Sequence, residues 1–304
     1  VLEPLAATPA LAGRIRTGTR VRAVAREGLL KHEEIGSAVR AGRRFRLLLE
    51  HADGSESVEH ADAVIDATGT YGNPNRLGDG GIDAVGERAF EHRITRQLAP
   101  VEPAWAGRTL LLTGAGASAQ TAARDVAAFA RDAPGTRVIW AVRDPDPDWG
   151  VVPDDSLPAR AALNASSREL QHGASEAVRV VTGVVTEALR ASDGRIAVTL
   201  RNGDSREVDV DEVVSMTGAV GDASIYRQLQ VHECYATLGP MKLAAQLLAS
   251  SGADCLAVGP AGPDALRNPE PGFFILGAKS YGRNSQFLLR TGSQQVDDVF
   301  STHL

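Results

Sequence analysis

The segment Thr109-Leu-Leu-Leu-Thr-Gly-Ala-Gly-Ala-Ser-Ala119 carries the pattern that decides the fold. Its three consecutive leucines indicate a buried strand, and the glycines predict a tight turn directly after that strand. The alanine-rich stretch 117–131 has no internal glycine or proline and is predicted to be a helix, which Pro134-Gly135 ends. Because 138–142 is the next predicted strand, residues 108–143 form one strand–helix–strand unit with parallel strands.

The spacing Gly-x-Gly-x-x-Ala in this unit is typical of turns that bind a dinucleotide. Gly114 permits the tight turn, Gly116 lets a pyrophosphate approach the backbone, and the small Ala119 lets helix and strand pack closely. The start of the helix, which includes Ser118, then offers free N–H groups to the phosphates. We therefore expect a dinucleotide to bind here. An ordinary tight turn between a strand and a helix is the alternative.

The residue that follows the second strand bears on which dinucleotide binds. A site for NAD tends to carry an acidic residue there, which hydrogen-bonds the ribose hydroxyls. This chain carries Arg143, followed by Asp144. A guanidinium suits a 2′-phosphate through paired, charge-assisted hydrogen bonds, so we expect NADP rather than NAD. The alternative is a solvated arginine at a strand end, and Asp144 leaves that alternative open.

Two further stretches of the chain resemble each other. Residues 14–69 are predicted to form a strand, a hairpin and a short buried strand that closes on Thr68-Gly69, and residues 179–218 do the same and close on Thr217-Gly218. The carboxyl ends of such strands are expected to face a bound ligand, although a plain strand terminus is the alternative. A glycine-rich turn matching the first copy would fall before Val1, so the chain is expected to be truncated at its N-terminus.

The repeat and the remaining sequence predict the following elements. In the first copy, strands are predicted at 14–21, 45–50, 56–60 and 63–67, and in the second at 180–183, 195–201, 206–210 and 213–216. Residues 144–158, with prolines and aspartates around Trp149, are typical of an irregular surface loop. Later elements are a linker at 259–271, a strand at 273–276, a turn at 277–283, and helices at 160–172, 241–250 and 286–300.

Composition disfavours several classes of function. The chain has 304 residues and a formal net charge of −6, so binding to nucleic acid or to an anionic membrane is not expected. No apolar stretch approaches the roughly 20 residues that a membrane-spanning helix needs. The histidines and cysteines form no metal-binding motif, and Gly-x-Ser-x-Gly is absent, which disfavours a metal site and a serine hydrolase. Cys234 and Cys255 form no Cys-x-x-Cys, and so few cysteines predict a reducing, cytoplasmic location.

Together these motifs resemble the FAD-dependent pyridine-nucleotide oxidoreductases with two dinucleotide-binding domains, and in particular their flavin-containing monooxygenase-like branch. The matching segments are Asp66-Ala-Thr-Gly69 with Asn73-Pro74 after it, Gly114 to Ala119, Thr217-Gly218, and Gly277 to Leu289. The resemblance implies an α/β fold with two Rossmann-like FAD- and NAD(P)-binding domains in three layers. The FAD-binding domain would be discontinuous and incomplete, with residues 1–103 and 219–304 on either side of an NADPH-binding domain at 104–218.

The resemblance also implies which residues lie near each cofactor. Those near FAD would be Thr68, Gly69, Gly277, Ser280, Tyr281 and Gly282, and those that hold NADPH would be Gly114, Gly116, Ser118 and Arg143. The family pattern has Gly-Asp near the end of the chain, where this sequence has Gly277 followed by Ala278-Lys279.

The activity implied by the resemblance is that of an NADPH-dependent, monooxygenase-like flavoprotein oxidoreductase. Reducing equivalents would pass from NADPH through FAD to O2, with a small molecule as substrate. One alternative is a flavin-dependent reductase of a thiol or protein electron acceptor, in which Cys234 would be a single reactive thiol. Another is a nucleotide-binding remnant without catalysis. No catalytic residue can be named from the sequence, and a homodimer is a possible assembly.

Overall fold

The structure is a computed structural model that describes residues 2–249 and 262–302. Within these ranges the strands are β1 (Thr19–Arg26), β2 (Phe45–His51), β3 (Glu56–Ala61), β4 (Val64–Asp66), β5 (Ile94–Thr95), β6 (Thr109–Thr113), β7 (Arg137–Val142), β8 (Val178–Thr182), β9 (Val185–Ser192), β10 (Arg195–Asn202), β11 (Asp204–Val210), β12 (Glu212–Ser215) and β13 (Phe273–Ile275). The helices are α1 (Leu2–Ala6), α2 (Ala38–Ala41), α3 (Ala117–Asp132), α4 (Pro158–Gln171), α5 (Met241–Ala249) and α6 (Leu289–Thr302). Three parts of the predictions lie outside the described residues. They are Cys255, residue 250 at the end of the predicted helix 241–250, and residues 259–261 at the start of the predicted linker 259–271.

The chain forms two compact units. The continuous unit is Asn73–Ala219, and the split unit combines Val1–Gly72 with Val220–Leu304. The predicted division placed a boundary between residues 103 and 104, which lies inside the continuous unit. The difference arises because β5, which precedes residue 104, pairs in parallel with β12 of the continuous unit.

A parallel sheet of five strands, in the order β5-β12-β6-β7-β8, forms the centre of the continuous unit. Successive side chains of a strand point to opposite faces, so the leucines of β6 divide between two layers. Leu110 and Leu112 pack in one cluster with residues of α3 and α4, whereas Leu111 packs in another with residues of β10 and β11. A strand covered on both faces is apolar throughout, which explains why the three consecutive leucines predicted β6 correctly.

Each unit also contains an antiparallel sheet, which has the order β11-β10-β9 in the continuous unit and β1-β2-β3 in the split unit. In the split unit, β4 pairs in parallel with β13. The side chains of β13 also divide between two clusters, because Phe274 packs with residues of α5 and α6 whereas Phe273 and Ile275 pack with residues of β1 and β2. The predicted repeat is confirmed, since each unit has three antiparallel strands followed by a short parallel strand and a Thr-Gly pair.

The split unit contains a buried ion cluster. The carboxylate of Glu270 accepts hydrogen bonds from Arg26 Nε at 2.6 Å, from Arg40 Nη2 at 2.7 Å and from the Gln230 amide at 2.7 Å. The guanidinium of Arg26 also lies 3.7 Å from the centre of the Phe45 ring. The side chains of Arg26, Arg40 and Glu270 are each 1% exposed or less, so three full charges are buried only because they satisfy one another.

The first strand of each repeat differs from its prediction. The strand expected at 14–21 is β1, which runs five residues later, from Thr19. In the second repeat the matching strand is β9, because the segment expected at 180–183 belongs to β8 and pairs in parallel with β7. Gly183 has a φ of 69° and separates β8 from β9. Both segments have strand-forming sequences, and only the long-range pairing distinguishes their sheets.

Two other predictions need correction. Trp149, placed by the sequence in a surface loop, is 2% exposed and packs on Trp140 with their ring centres 4.6 Å apart. The helix expected from residue 286 begins at Leu289, and the predicted turn 277–283 contains a 3-10 helix over Gly277–Tyr281. Among the described residues, none of the helices is long and apolar enough to cross a membrane.

Candidate functional site

The glycine-rich turn between β6 and α3 has the geometry that its sequence predicts. Gly114 has a φ of 111°, and a Cβ atom added there would collide with the carbonyl oxygen of Met216. This position therefore requires glycine for two reasons, the left-handed backbone and the close approach of Met216, which directly follows β12. Ala119, the small third residue of the motif, is fully buried at the junction of turn and helix.

The second glycine of the turn faces open space. Gly116 is the N-cap of α3, its φ is −73°, and an added Cβ atom would meet no atom within 4 Å. No side chain caps the helix at this position, and the next two residues, Ala117 and Ser118, are exposed. The first N–H groups of a helix lack partners within the helix, so this end of α3 can accept an anion.

Two buried side chains hold the carbonyl groups of the turn. Trp140 Nε1 donates to the Gly114 carbonyl at 2.8 Å, and Gln120 Nε2 donates to the Ala115 carbonyl at 3.0 Å. Thr113, directly before the turn, has a buried hydroxyl without a hydrogen-bond partner among the described residues. A buried hydroxyl of this kind has unused capacity for a ligand group or a water. These features fit a phosphate-bearing ligand at the turn.

Arg143 lies at the carboxyl end of β7 in the same unit. Its side chain is exposed and makes no hydrogen bond or ion pair with any residue that the structure describes. The neighbouring carboxylate of Asp144 accepts a hydrogen bond from the Asp146 amide at 3.0 Å instead of pairing with Arg143. The guanidinium is therefore available to an anionic group at the end of the sheet.

The pair Thr217-Gly218 does not present an open edge. Thr217 Oγ1 donates to the Asn75 carbonyl at 3.1 Å, and Asn75 Nδ2 donates to the Thr217 carbonyl at 3.0 Å. The Asn75 amide donates to the Gly218 carbonyl at 2.9 Å, and Pro74 forms a bridge with Ala219. The segment after Asn73 thus uses the polar groups of this strand end, and a ligand contact by Thr217 and Gly218 stays a prediction.

In the split unit, the carboxyl ends of β4 and β13 surround a buried ion pair. Lys279 Nζ donates to Asp66 Oδ2 at 2.6 Å, to the Asp222 carbonyl at 2.7 Å and to Thr68 Oγ1 at 3.2 Å. The second carboxylate oxygen of Asp66 accepts from the hydroxyl and the amide of Thr68, at 2.8 and 3.1 Å. Thr68 is therefore fixed by Asp66, and the charge of Lys279 is used inside the unit.

The predicted flavin-bordering residues near the end of the chain divide into two groups. Gly69 and Gly277 have φ values of 70° and 74°, and an added Cβ atom would meet nothing within 4 Å at either position. Ser280, Tyr281 and Gly282 are buried; Ser280 Oγ donates to the Gly277 carbonyl at 2.8 Å. A Cβ atom at Gly282 would collide with the Thr237 carbonyl. Of these five residues, only Gly69 and Gly277 face open space.

Sequence reasoning missed the partnership of Lys279 with Asp66 and the role of Gln120. The available signal was a charged residue within an apolar segment, an aspartate in one case and a lysine in the other. Such a residue needs an oppositely charged partner when it is buried. Gln120 gave no signal of its own, because glutamine is an ordinary residue in a helix. The described residues contain no group of three or more His, Cys, Asp or Glu side chains that could hold a metal ion.

Comparison with known proteins supports the fold through structure and not through sequence. No protein-family model matches the chain, and no curated protein matches its sequence. The structure is similar to the bacillithiol disulfide reductase Bdr (YpdA) of Bacillus cereus, with a TM-score of 0.68 and 17% identity over 99% of this chain and 74% of that one.

Two further similar structures come from different kinds of enzyme. Thioredoxin reductase of T. acidophilum has a TM-score of 0.59 and 15% identity, over 94% of this chain and 74% of that one. The FAD-bound cadaverine monooxygenase DfoA of Erwinia amylovora has a TM-score of 0.59 and 13% identity, over 96% of this chain and 70% of that one. The predicted α/β fold with two Rossmann-like domains is confirmed. At these identities the likeness defines the fold and not the reaction.

Proposed function

We propose that the chain belongs to an NADPH- and FAD-dependent oxidoreductase. The observation that carries this proposal is the glycine-rich turn of the continuous unit, where Gly116 and the start of α3 are exposed. The same unit presents Arg143, a cation without a protein partner in the described structure. The turn suits the pyrophosphate of a dinucleotide, and the guanidinium suits a 2′-phosphate, which favours NADPH over NADH.

The residues of the continuous unit have separable roles in this proposal. The backbone N–H groups of the turn and of the start of α3 would bind the pyrophosphate, because they are unpaired and the helix dipole favours an anion there. Gly116 would leave room for the phosphates, since nothing lies within 4 Å of its missing Cβ. Arg143 would distinguish NADPH from NADH through the added phosphate.

In the split unit, Gly69 and Gly277 are the residues that would approach FAD. Both have open space where a side chain would be, whereas Thr68 and Lys279 are held by Asp66. Bound FAD would supply the redox chemistry between NADPH and an electron acceptor. The protein would supply binding and orientation. A monooxygenase acting on a small molecule is the subtype we favour, in keeping with the motifs.

A reductase of a thiol or protein acceptor is a second candidate, favoured by the surroundings of Cys234. The neighbouring residues Thr237 and Ala236 lower the pKa of the Cys234 thiol. A lowered pKa raises the thiolate fraction, and the thiolate is the form that reacts with disulfides. In a monooxygenase, Cys234→Ser would leave NADPH oxidation unchanged, whereas in a single-thiol reductase it would abolish disulfide reduction.

The test is NADPH oxidation by the full-length protein with FAD added, followed together with O2 uptake and peroxide formation. Consumption of O2 with peroxide release in the absence of substrate supports the monooxygenase. Reduction of an artificial dye or a disulfide without O2 uptake supports the reductase. A protein that neither retains flavin nor oxidises NADPH would contradict both and leave a nucleotide-binding role without catalysis.

A further inference from the structure

We propose that Gln120 and Trp140 are positioning residues for the dinucleotide pyrophosphate, an inference that rests on the proposed function of the glycine-rich turn. Each donates to one carbonyl of the turn, Trp140 Nε1 to Gly114 and Gln120 Nε2 to Ala115. Trp140 is fully buried and Gln120 is 4% exposed. Both carbonyl groups therefore point toward the interior of the continuous unit.

The direction of these carbonyl groups fixes the direction of two N–H groups. In a planar trans peptide the C=O and N–H of the same peptide group point in opposite directions. The peptide group with the Gly114 carbonyl contains the Ala115 N–H, and the one with the Ala115 carbonyl contains the Gly116 N–H. Neither N–H has a hydrogen-bond partner in the part of the chain that the structure describes. Two adjacent N–H groups are thus aimed away from the interior, on the side where Gly116 is exposed.

The amide of Gln120 is itself held in one orientation. Its second N–H donates to the Trp149 carbonyl at 3.1 Å, and its oxygen accepts from Ser167 Oγ at 3.0 Å. Reversing the amide would place its oxygen against two carbonyl oxygens and lose both bonds that it donates to them. Gln120 therefore connects the turn to α4 and to the loop after β7. A side chain of similar size without a donor would leave the Ala115 carbonyl buried and unpaired, and its peptide group would lose its fixed direction.

An anion of two phosphates is the ligand that this arrangement suits. The N–H groups of Ala115 and Gly116 continue into the unpaired N–H groups of the first turn of α3, so several donors converge on one side of the backbone. The contact to the 2′-phosphate does not depend on the turn, because Arg143 directly follows β7 and is positioned by that strand. Loss of Gln120 should therefore weaken binding through the pyrophosphate and spare binding through the 2′-phosphate.

The experiment compares two ligands on matched variants of the whole protein. Isothermal titration calorimetry gives the Kd of NADP+, which has the pyrophosphate, and of adenosine 2′-monophosphate, which lacks it. The variants are Gln120→Met and, as a second route to the same loss, Trp140→Phe. The control is Asn164→Leu, because Asn164 is a buried amide that donates to the Gly150 carbonyl at 2.9 Å and anchors the same loop without touching the turn. Thermal midpoints are recorded for all proteins.

We expect Gln120→Met and Trp140→Phe to weaken NADP+ binding about 10-fold, the effect of one lost hydrogen bond to a charged group. Binding of adenosine 2′-monophosphate should change less than about twofold, and the control should keep both affinities although its thermal midpoint falls. Equal losses for both ligands, or a loss matched by Asn164→Leu, would overturn the inference. Unchanged NADP+ binding by folded Gln120→Met and Trp140→Phe would also overturn it. A wild-type protein that does not bind NADP+ would overturn the proposed function itself, which distinguishes the two failures.

Discussion

The ammonium of Lys279 lies 2.6 Å from the carboxylate of Asp66, and each side chain is only 2% exposed. The two residues are 213 positions apart in the sequence and meet where β4 ends. The stem of Lys279 occupies the space beside Gly221, where any Cβ atom would collide with it. The ring of Tyr226 lies 4.9 Å from the ammonium. A buried charge this enclosed is stable only while its partner is present.

Removing both members of this pair should cost less than the sum of removing each one alone. We expect Lys279→Met to lower the free energy of unfolding by about 3 to 5 kcal/mol, because Asp66 keeps a buried, unpaired charge. The double variant Lys279→Met with Asp66→Leu should lose at least about 1 kcal/mol less than the sum of the single variants. Urea unfolding followed by circular dichroism measures each value. Lys242→Met, at an exposed site on α5, is the control, and strictly additive losses would contradict the coupling.

Arg143 should determine the preference for NADPH. We expect Arg143→Ala to weaken NADPH binding about 10- to 100-fold and NADH binding less than about twofold, because only NADPH has the 2′-phosphate. Arg137→Ala is a matched control, since Arg137 is an exposed arginine at the opposite end of the same strand. Fluorescence titration of both nucleotides measures the difference. Equal weakening of NADPH binding and NADH binding would contradict a contact between Arg143 and the 2′-phosphate.

The two glycines of the turn should respond differently to alanine. Gly114→Ala introduces a side chain at a φ of 111° against the Met216 carbonyl, so we expect it to destabilise the protein by about 2 kcal/mol or more. Gly116→Ala meets no atom within 4 Å and should keep the thermal midpoint of the wild type. It should nevertheless weaken NADP+ binding about 10-fold or more, because the methyl group would occupy the path of the phosphates. Normal binding by Gly116→Ala would show that the ligand lies elsewhere.

The ion cluster around Glu270 should make stability depend on pH. Burial raises the pKa of Glu270, but hydrogen bonds from Arg40, the Gln230 amide and Arg26 outweigh it, and the net pKa is lowered. A carboxylate with a lowered pKa in the folded state stabilises the protein above its unfolded pKa, which is about 4.3. That contribution disappears as the pH falls through the folded pKa.

We therefore expect the difference in unfolding free energy between the wild type and Glu270→Gln to be constant at neutral pH. It should amount to about 3 to 5 kcal/mol there, since the substitution leaves two buried arginines without a counter-charge. The difference should shrink as the pH falls below about 4.3. Urea unfolding over a pH series measures it. Glu56→Gln, at an exposed position of β3, provides the comparison, and a difference for Glu270→Gln that is unchanged at low pH would contradict the assignment.

Local patterns predicted the turn well because its determinants are local. The three leucines, the two glycines and the alanine-rich helix lie within about 20 consecutive residues, and each acts through its own backbone or its nearest neighbours. The assignment of β8 and β9 failed because both segments are strand-like and only Gly183 and Val184 separate them. Their sheets are determined by partners far along the chain, and strand propensity does not encode partners.

Burial that results from contacts between distant segments also could not be predicted from the sequence. Trp149 lies among prolines and aspartates, which correctly predicted an irregular backbone, yet its ring packs on Trp140 from another segment. The division into units failed at residue 103 for a similar reason, because β5 has only two residues and no recognisable pattern, but pairs with β12. The Thr-Gly pairs were found by repetition, whereas the different partners of each pair, Asp66 for one and Asn75 for the other, appeared only in the structure.

The bridge between Pro74 and Ala219 means that the continuous unit starts and stops at one place. Its two termini are joined by backbone pairing as well as by Asn75 and Gly218. A segment with adjoining termini can be gained by a host domain, or removed from it, without stretching the remaining chain. Residues 73–219 therefore have the form of a module that evolution can transfer as a single piece, and the same property makes them a natural choice for separate expression.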